Sequence, residues 1–184
     1  DRKVAVCTSC HDVHAIRAIK DQAAWTYPIK VAETCARCHG DAEYMKEYKI
    51  PTDQLEKYKQ SIHYEMLTKR GDLASPTCSG CHGSHGAAPP GIDSVANVCS
   101  HCHAAMAELF DKSAHKPAFA ELGMPACVTC HGNHDVTKPL DAMLTGGEGT
   151  PCATCHEANS APLKKAAQLR TMVEGLSSQI DQAA

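Results

Sequence analysis

"VCSHCHAAMAELFDKSAHKPAFAELGMPACVTCHGNHDV" occupies residues Val98–Val136. It holds two Cys-x-x-Cys-His units, Cys99–His103 and Cys127–His131, and three further histidines, His101, His115 and His134. The same unit recurs outward in both directions: "CTSCH" at Cys7–His11, "CARCH" at Cys35–His39, "CSGCH" at Cys78–His82 and "CATCH" at Cys152–His156. All 12 cysteines fall into these six units, and every pair is followed by histidine.

Cys-x-x-Cys-His is the attachment signal for c-type haem. The two thiols, Cys7 and Cys10 in the first unit, add to the two vinyl groups of one macrocycle. The next residue, a neutral imidazole, reaches the iron as proximal ligand. Disulfides and paired zinc knuckles also use even numbers of cysteines. Neither accounts for the trailing histidine. With histidine at about one position in fifteen, six chance hits have a probability of about 10⁻⁷. The expectation is six covalently bound haem c groups. The attachment residues are Cys7, Cys10, Cys35, Cys38, Cys78, Cys81, Cys99, Cys102, Cys127, Cys130, Cys152 and Cys155. The proximal ligands are His11, His39, His82, His103, His131 and His156.

Composition agrees. The chain has 184 residues but only 2 Phe and 1 Trp, too few large apolar side chains for a conventional core. Six haems on this length leave about thirty residues each, so the porphyrins become the interior. The expected fold is a multihaem cytochrome c: loops and short α-helices wrapped round a packed haem chain, with little or no β structure.

Six histidines remain for the distal positions. His14, His85 and His134 each stand three residues beyond a proximal histidine, in "CHDVH", "CHGSH" and "CHGNH". At that spacing the ring cannot reach the far face of its own haem, so it is expected to serve a neighbouring one. His63 and His115 sit in matching contexts, "SIHYEMLTKRGDLASPTCSGCHGSHG" and "SAHKPAFAELGMPACVTCHGNHD". This is an internal repeat, with one copy over 35–85 and a second over 99–134. Half-units flank them at 7–14 and 152–156. The frame supplies five distal histidines for six irons. His101 is either the variable residue of its own attachment loop or the twelfth ligand. Without it, one iron is five-coordinate, takes methionine, or takes a histidine from another chain. Met45, Met66, Met106, Met124, Met143 and Met172 read as packing residues, not as ligands.

The motifs "CHGSHG" and "CHGNHD" resemble the Cys-x-x-Cys-His-x-x-His elements of the multihaem c-type cytochromes of anaerobic bacteria. The resemblance spans roughly Cys7 to His156. It implies bis-histidine iron and a role in electron transfer. Members include periplasmic carriers, reductase subunits and extracellular filaments. Members that dock quinol in a membrane carry a transmembrane helix, which is not seen here.

The chain divides at residue 160. Residues 1–159 form the expected hexahaem domain, and 160–184 an amphipathic helix. Leu169, Val173, Leu176 and Ile180 recur at helical spacing, over about Pro162 to Asp181, with Ser160 as N-cap and Gly175 as a weak point. The stripe either packs on the haem domain or forms a self-associating coiled coil. Gly86–Ser94 and the Gly-rich stretch 146–149 read as linkers.

Net charge is −3 with histidine neutral, and no basic patch suggests nucleic acid. No apolar run approaches the roughly 20 residues that span a bilayer. The start, Asp1-Arg2-Lys3, is charged, so the chain reads as a mature form without its leader or as a fragment. Ionised propionates would take the haem-loaded protein to roughly −9, favouring basic partners.

The expectation for function is an electron carrier, not an enzyme, with mainly bis-histidine haems of low potential. It would be periplasmic or extracellular, working in anaerobic respiration between a redox donor and an acceptor protein or an extracellular acceptor. Its extended form is a homo-oligomer or filament, joined through the C-terminal helix or an inter-subunit histidine ligand. The alternative is a small reductase of nitrite, hydroxylamine or a sulfur oxyanion, acting at one five-coordinate haem.

Overall fold

The computed structural model describes residues 4–91, 94–147 and 149–183. Ile92 and Asp93 of the first linker, and Glu148 of the Gly-rich one, lie outside that range. The described chain is helix and loop, with no β-strand among these residues. Eleven α-helices follow in order. They are α1 (Cys7–Cys10), α2 (Pro28–His39), α3 (Ala42–Met45), α4 (Gln54–Lys59), α5 (Ile62–Lys69), α6 (Cys78–His82), α7 (Val95–Ser100), α8 (Ala104–Asp111), α9 (His115–Leu122), α10 (Val128–His131) and α11 (Ala161–Ala183). Short 3₁₀ turns occupy Lys46–Tyr48, Asp141–Thr145 and Cys152–Thr154.

The polypeptide core is small. Its buried apolar residues are Ala24, Tyr27, Ala32, Met45, Tyr58, Leu67 and Leu163. The accessible surface is 13111 Å². A self-sufficient globular chain of this mass exposes about 8,600 Å². The chain therefore stands open, with its helices arranged round space they do not fill themselves.

Most of that core lies at residues 24–67, where α2, α4 and α5 meet one another and α6, and Leu163 is buried apart from it on α11. Tyr58 donates its hydroxyl to the Pro76 carbonyl at 2.9 Å, tying α4 to the approach to α6. Lys59 pairs with Glu33 of α2 at 3.3 Å. Leu67, 2 % exposed, is the most buried large apolar side chain.

The two repeats share local chemistry. Ser61 donates its hydroxyl to the Tyr58 carbonyl at 2.7 Å, and Ser113 does the same to Phe110 at 2.7 Å. Each serine thereby turns the chain just ahead of a histidine-bearing helix, α5 or α9. Ser61 also accepts from the Tyr64 backbone N–H at 3.1 Å, the N-cap bond that starts α5. Past the attachment helices, Gly83 (φ 79°) and Gly132 (φ 77°) both have ψ 171°. Such torsions are open essentially to glycine alone. Both loops then close on the carbonyl of the histidine before the glycine, Ala88 N–H to His82 at 3.0 Å and Thr137 N–H to His131 at 2.9 Å.

The C-terminal helix runs Ala161–Ala183, slightly longer than its apolar pattern predicts, and Gly175 does not interrupt it. Its start differs from expectation. The Ser160 hydroxyl is buried without a hydrogen-bond partner and caps nothing. The helix docks through its N-terminal part, where Leu163 is buried and α11 meets the Asp141–Thr145 turn. A Cβ at Gly146 would lie 2.9 Å from Leu163 Cδ2, so glycine is needed for that approach. Leu169, Met172, Val173, Leu176 and Ile180 are all exposed, so the stripe does not pack on the rest of the chain. The methionines divide likewise: Met45 is 4 % exposed and packs, whereas Met106 (58 %) and Met172 (63 %) face outward, against the packing role expected of them. No described helix is long and apolar enough to cross a membrane.

Candidate functional site

The 12 cysteines are all free thiols. The thiols of successive attachment units lie side by side. Cys35 is hydrogen-bonded to Cys78, which together with burial pushes the Cys35 thiol well up from its ordinary value. Burial and the neighbouring Cys127 push Cys99 up to about 11. Burial with Cys102 raises Cys81, and burial with Cys152 and Cys155 raises Cys130. First cysteines thus meet within each repeat, and second cysteines meet between repeats. The second to sixth units follow one another in space as they do in sequence.

The first unit is held differently. Arg37, the variable residue of "CARCH", donates from its Nη2 to the Ser9 carbonyl at 2.6 Å. Its guanidinium lies 4.4 Å from the ring centroid of Trp25. One side chain thereby fastens α1 to α2 and stacks on the chain's single tryptophan. Sequence reading did not pick out either residue. A lone Trp beside the first attachment units was the available signal.

The histidines form four facing pairs. His11 and His85 have ring centroids 6.3 Å apart, with planes 25° apart. His82 and His134 are 6.0 Å apart at 20°. His63 and His103 are 6.2 Å apart at 37°, and His115 and His156 are 6.1 Å apart at 64°. An imidazole nitrogen sits about 2 Å from a metal it ligates, so two rings on opposite sides of one iron have centroids about 6 Å apart. Ordinary ring contacts fall in the same range. Membership separates the two cases: every pair takes one histidine following a Cys-x-x-Cys and one of the remaining six.

Two further features suit ligation. The His82 Nδ1 lies 3.1 Å from the Ala88 carbonyl oxygen, which can only accept. The Nδ1 therefore carries the proton and leaves Nε2 with a free lone pair. Burial, and then the facing His103, hold His63 below its ordinary value of 6.5. Burial, and then His82, do the same for His134. Both rings stay neutral at neutral pH, the form a metal needs.

The pairs share one stride. His85 belongs to the third unit and faces His11 of the first. His134 belongs to the fifth and faces His82 of the third. His63 follows the second unit and faces His103 of the fourth, and His115 follows the fourth and faces His156 of the sixth. Each partner lies two units away, not in the next unit along. Four candidates stay outside this scheme. Among the described residues, His39 and His131 face no second ring, and neither do His14 and His101, both exposed. Among the described residues, no three His, Cys, Asp or Glu side chains converge as a zinc cluster would require.

Comparison with protein-family models, with curated proteins and with solved structures yields no match.

Proposed function

We propose that this chain binds six c-type haems and passes single electrons along them. The observation that carries this reading is the matching of four attachment-unit histidines to four others, at 6.0–6.3 Å. The haems supply the one-electron chemistry; their potentials follow from the axial ligands and surroundings. The chain's residues attach, orient and shield. The cysteines fix each macrocycle edge. The adjacency of successive thiols supports a file of haems in chain order. The pairs His11–His85, His82–His134, His63–His103 and His115–His156 would hold the irons of the first, third, fourth and sixth haems, leaving those irons no open site for another ligand. The His82 to Ala88 hydrogen bond fixes one ring's tautomer and orientation.

The compartment follows from the chemistry: thioether attachment takes place outside the cytoplasm, and the protein is periplasmic or extracellular. With six haems the surface is roughly nine charges negative, which suits basic redox proteins as donor and acceptor.

Intact mass and low-temperature EPR of the oxidised protein test the reading together. A mass equal to the polypeptide plus six haems, with at least four low-spin irons, is expected. Fewer than six haems, or high-spin iron at the four paired sites, would overturn it. One observation favours a second reading: His39 and His131 face no imidazole among the described residues. A reductase would act at one of those two haems, and a spectral shift on adding nitrite or hydroxylamine would identify it.

A further inference from the structure

Three of the four facing histidine pairs hold their rings closer to parallel than to perpendicular: 25° for His11–His85, 20° for His82–His134 and 37° for His63–His103. His115 and His156 stand crosswise, at 64°. The repeat offers a comparison within the chain, because His63 and His115 hold equivalent places in it.

An aromatic ring stands against His115. Phe119, one helical turn on, meets it edge to face at 5.7 Å and 63°. Phe119 is itself held by Phe110, at 5.8 Å and 61°. Lys116 Nζ lies over the Phe110 ring at 5.8 Å and pairs with Asp111 at 2.8 Å, which closes the cluster. In the first repeat the same places are filled differently. One turn past His63 stands Leu67, a buried aliphatic side chain with no ring edge to offer. Tyr58, the counterpart of Phe110, packs on Tyr64 instead, at 5.4 Å and 78°. The two helices also start one residue out of step: His63 is the second residue of α5, and His115 the first of α9.

We propose that Phe119 is a positioning residue for the sixth haem: it holds the His115 ring across that of His156 and so raises that haem's potential above the value parallel rings would give. This rests on the proposed haem binding and assigns one haem's character to one side chain. An axial imidazole donates π density into the iron d orbital perpendicular to its ring plane. Two parallel rings donate into one such orbital, split the pair widely and stabilise the ferric hole placed there. Crossed rings donate into both orbitals, the pair stays close in energy, and the ferric state gains less. The axial ligands thus shift the potential through their orientation as well as their identity. The same small splitting gives ferric iron a strongly anisotropic EPR signal with one very large g value, where parallel rings give an ordinary rhombic one.

The test uses the haem-loaded full chain, followed by low-temperature EPR, redox titration and intact mass. The parent is expected to show a large-g low-spin signal that disappears in Cys152→Ala with Cys155→Ala, which lacks the sixth haem. Phe119→Leu, which copies the first repeat, is expected to replace that signal with a rhombic low-spin one and to lower one midpoint potential, with six haems retained. Phe119→Tyr keeps the ring edge and is expected to keep the parent's spectrum and titration. A Phe119→Leu protein with the parent's large-g signal and midpoints overturns the inference. So does a high-spin sixth iron in Phe119→Leu, since the side chain would then hold the ligand on and not turn it. A parent whose sixth haem gives a rhombic signal overturns it too, and that result is readable even where Phe119→Leu fails to fold. A mass without six haems overturns the proposed function itself, a different result from six haems with a rhombic sixth iron.

Discussion

The backbone N–H of Ile62 donates to the carbonyl of Val136 at 2.9 Å. This single bond joins the start of α5 in the first repeat to the loop after α10 in the second. His63 is one residue beyond the donor and His134 two residues before the acceptor. Their partners, His103 and His82, stand in consecutive attachment units. The bond therefore pins together the histidines assigned to the third and fourth irons, at the joint between the repeats.

Ile62→Pro tests that joint. Ser61 has extended torsions (φ −76°, ψ 154°), which a following proline accepts, and Ile62 is the first helical residue, where proline is tolerated. The helix survives while the N–H is lost. A destabilisation of about 1–2 kcal/mol is expected from the lost bond and the half-buried side chain, read from denaturant midpoints. The low-spin EPR lines of two haems should broaden; an unchanged spectrum would show that the joint does not position the ligands.

His85→Ala should open the iron at the first unit, not at its own. One more high-spin haem per chain than in the parent is expected. In a Cys7→Ala, Cys10→Ala background, which lacks the first haem, His85→Ala should add no high-spin signal. A signal that persists there would contradict the pairing of His85 with His11.

Gly132→Ala meets two obstacles: φ is 77°, and the new Cβ would fall 2.7 Å from the Asp135 Oδ1. Gly83→Ala meets only the first, since nothing lies within 4 Å of its Cβ position. Strain of this kind costs about 1–3 kcal/mol. Both should lose stability in thermal melts, Gly132→Ala more. Equal melting points for the two would remove the steric part of the argument.

Acid should weaken the fold in a defined window. His63 and His134 are held below the ordinary 6.5, so below that value the unfolded chain binds more protons than the folded one. Their contribution is complete above pH 6.5 and is lost as pH falls through their folded values. Urea midpoints should drop as pH falls below 6.5, and drop less in His134→Gln, which has no imidazole to protonate there. Parallel curves would refute the assignment.

His101 stands exposed at the C-cap of α7 with no ring against it. His101→Ala is expected to leave the EPR spectrum and the mass unchanged. A new high-spin signal would make it the sixth ligand of the haem at Cys35–Cys38.

Much of the site could be read from residue order, because covalent attachment demands a fixed local spacing. Cys99, Cys102 and His103 announce themselves within five residues. The helix at 161–183 was readable for the same reason, through the period of Leu169, Val173, Leu176 and Ile180. The stride was not. Which ring His85 faces depends on how two attachment units lie in space, and spacing within "CHGSH" says only that the partner is another unit. The uncovered face of α11 and the clamp by Arg37 were equally hidden, since amphipathic period does not say what covers a stripe.

The small interior has a consequence for inheritance. Among the described residues, seven buried apolar side chains are all that the polypeptide keeps to itself. A mutation is heavily penalised only at those positions, at the cysteines and facing histidines, and at a few turns such as Gly83 and Gly132. Elsewhere the chain is free to drift. Lineages descended from one such ancestor would soon share little beyond punctuation: the attachment units, and the two-unit stride that says which histidine answers which.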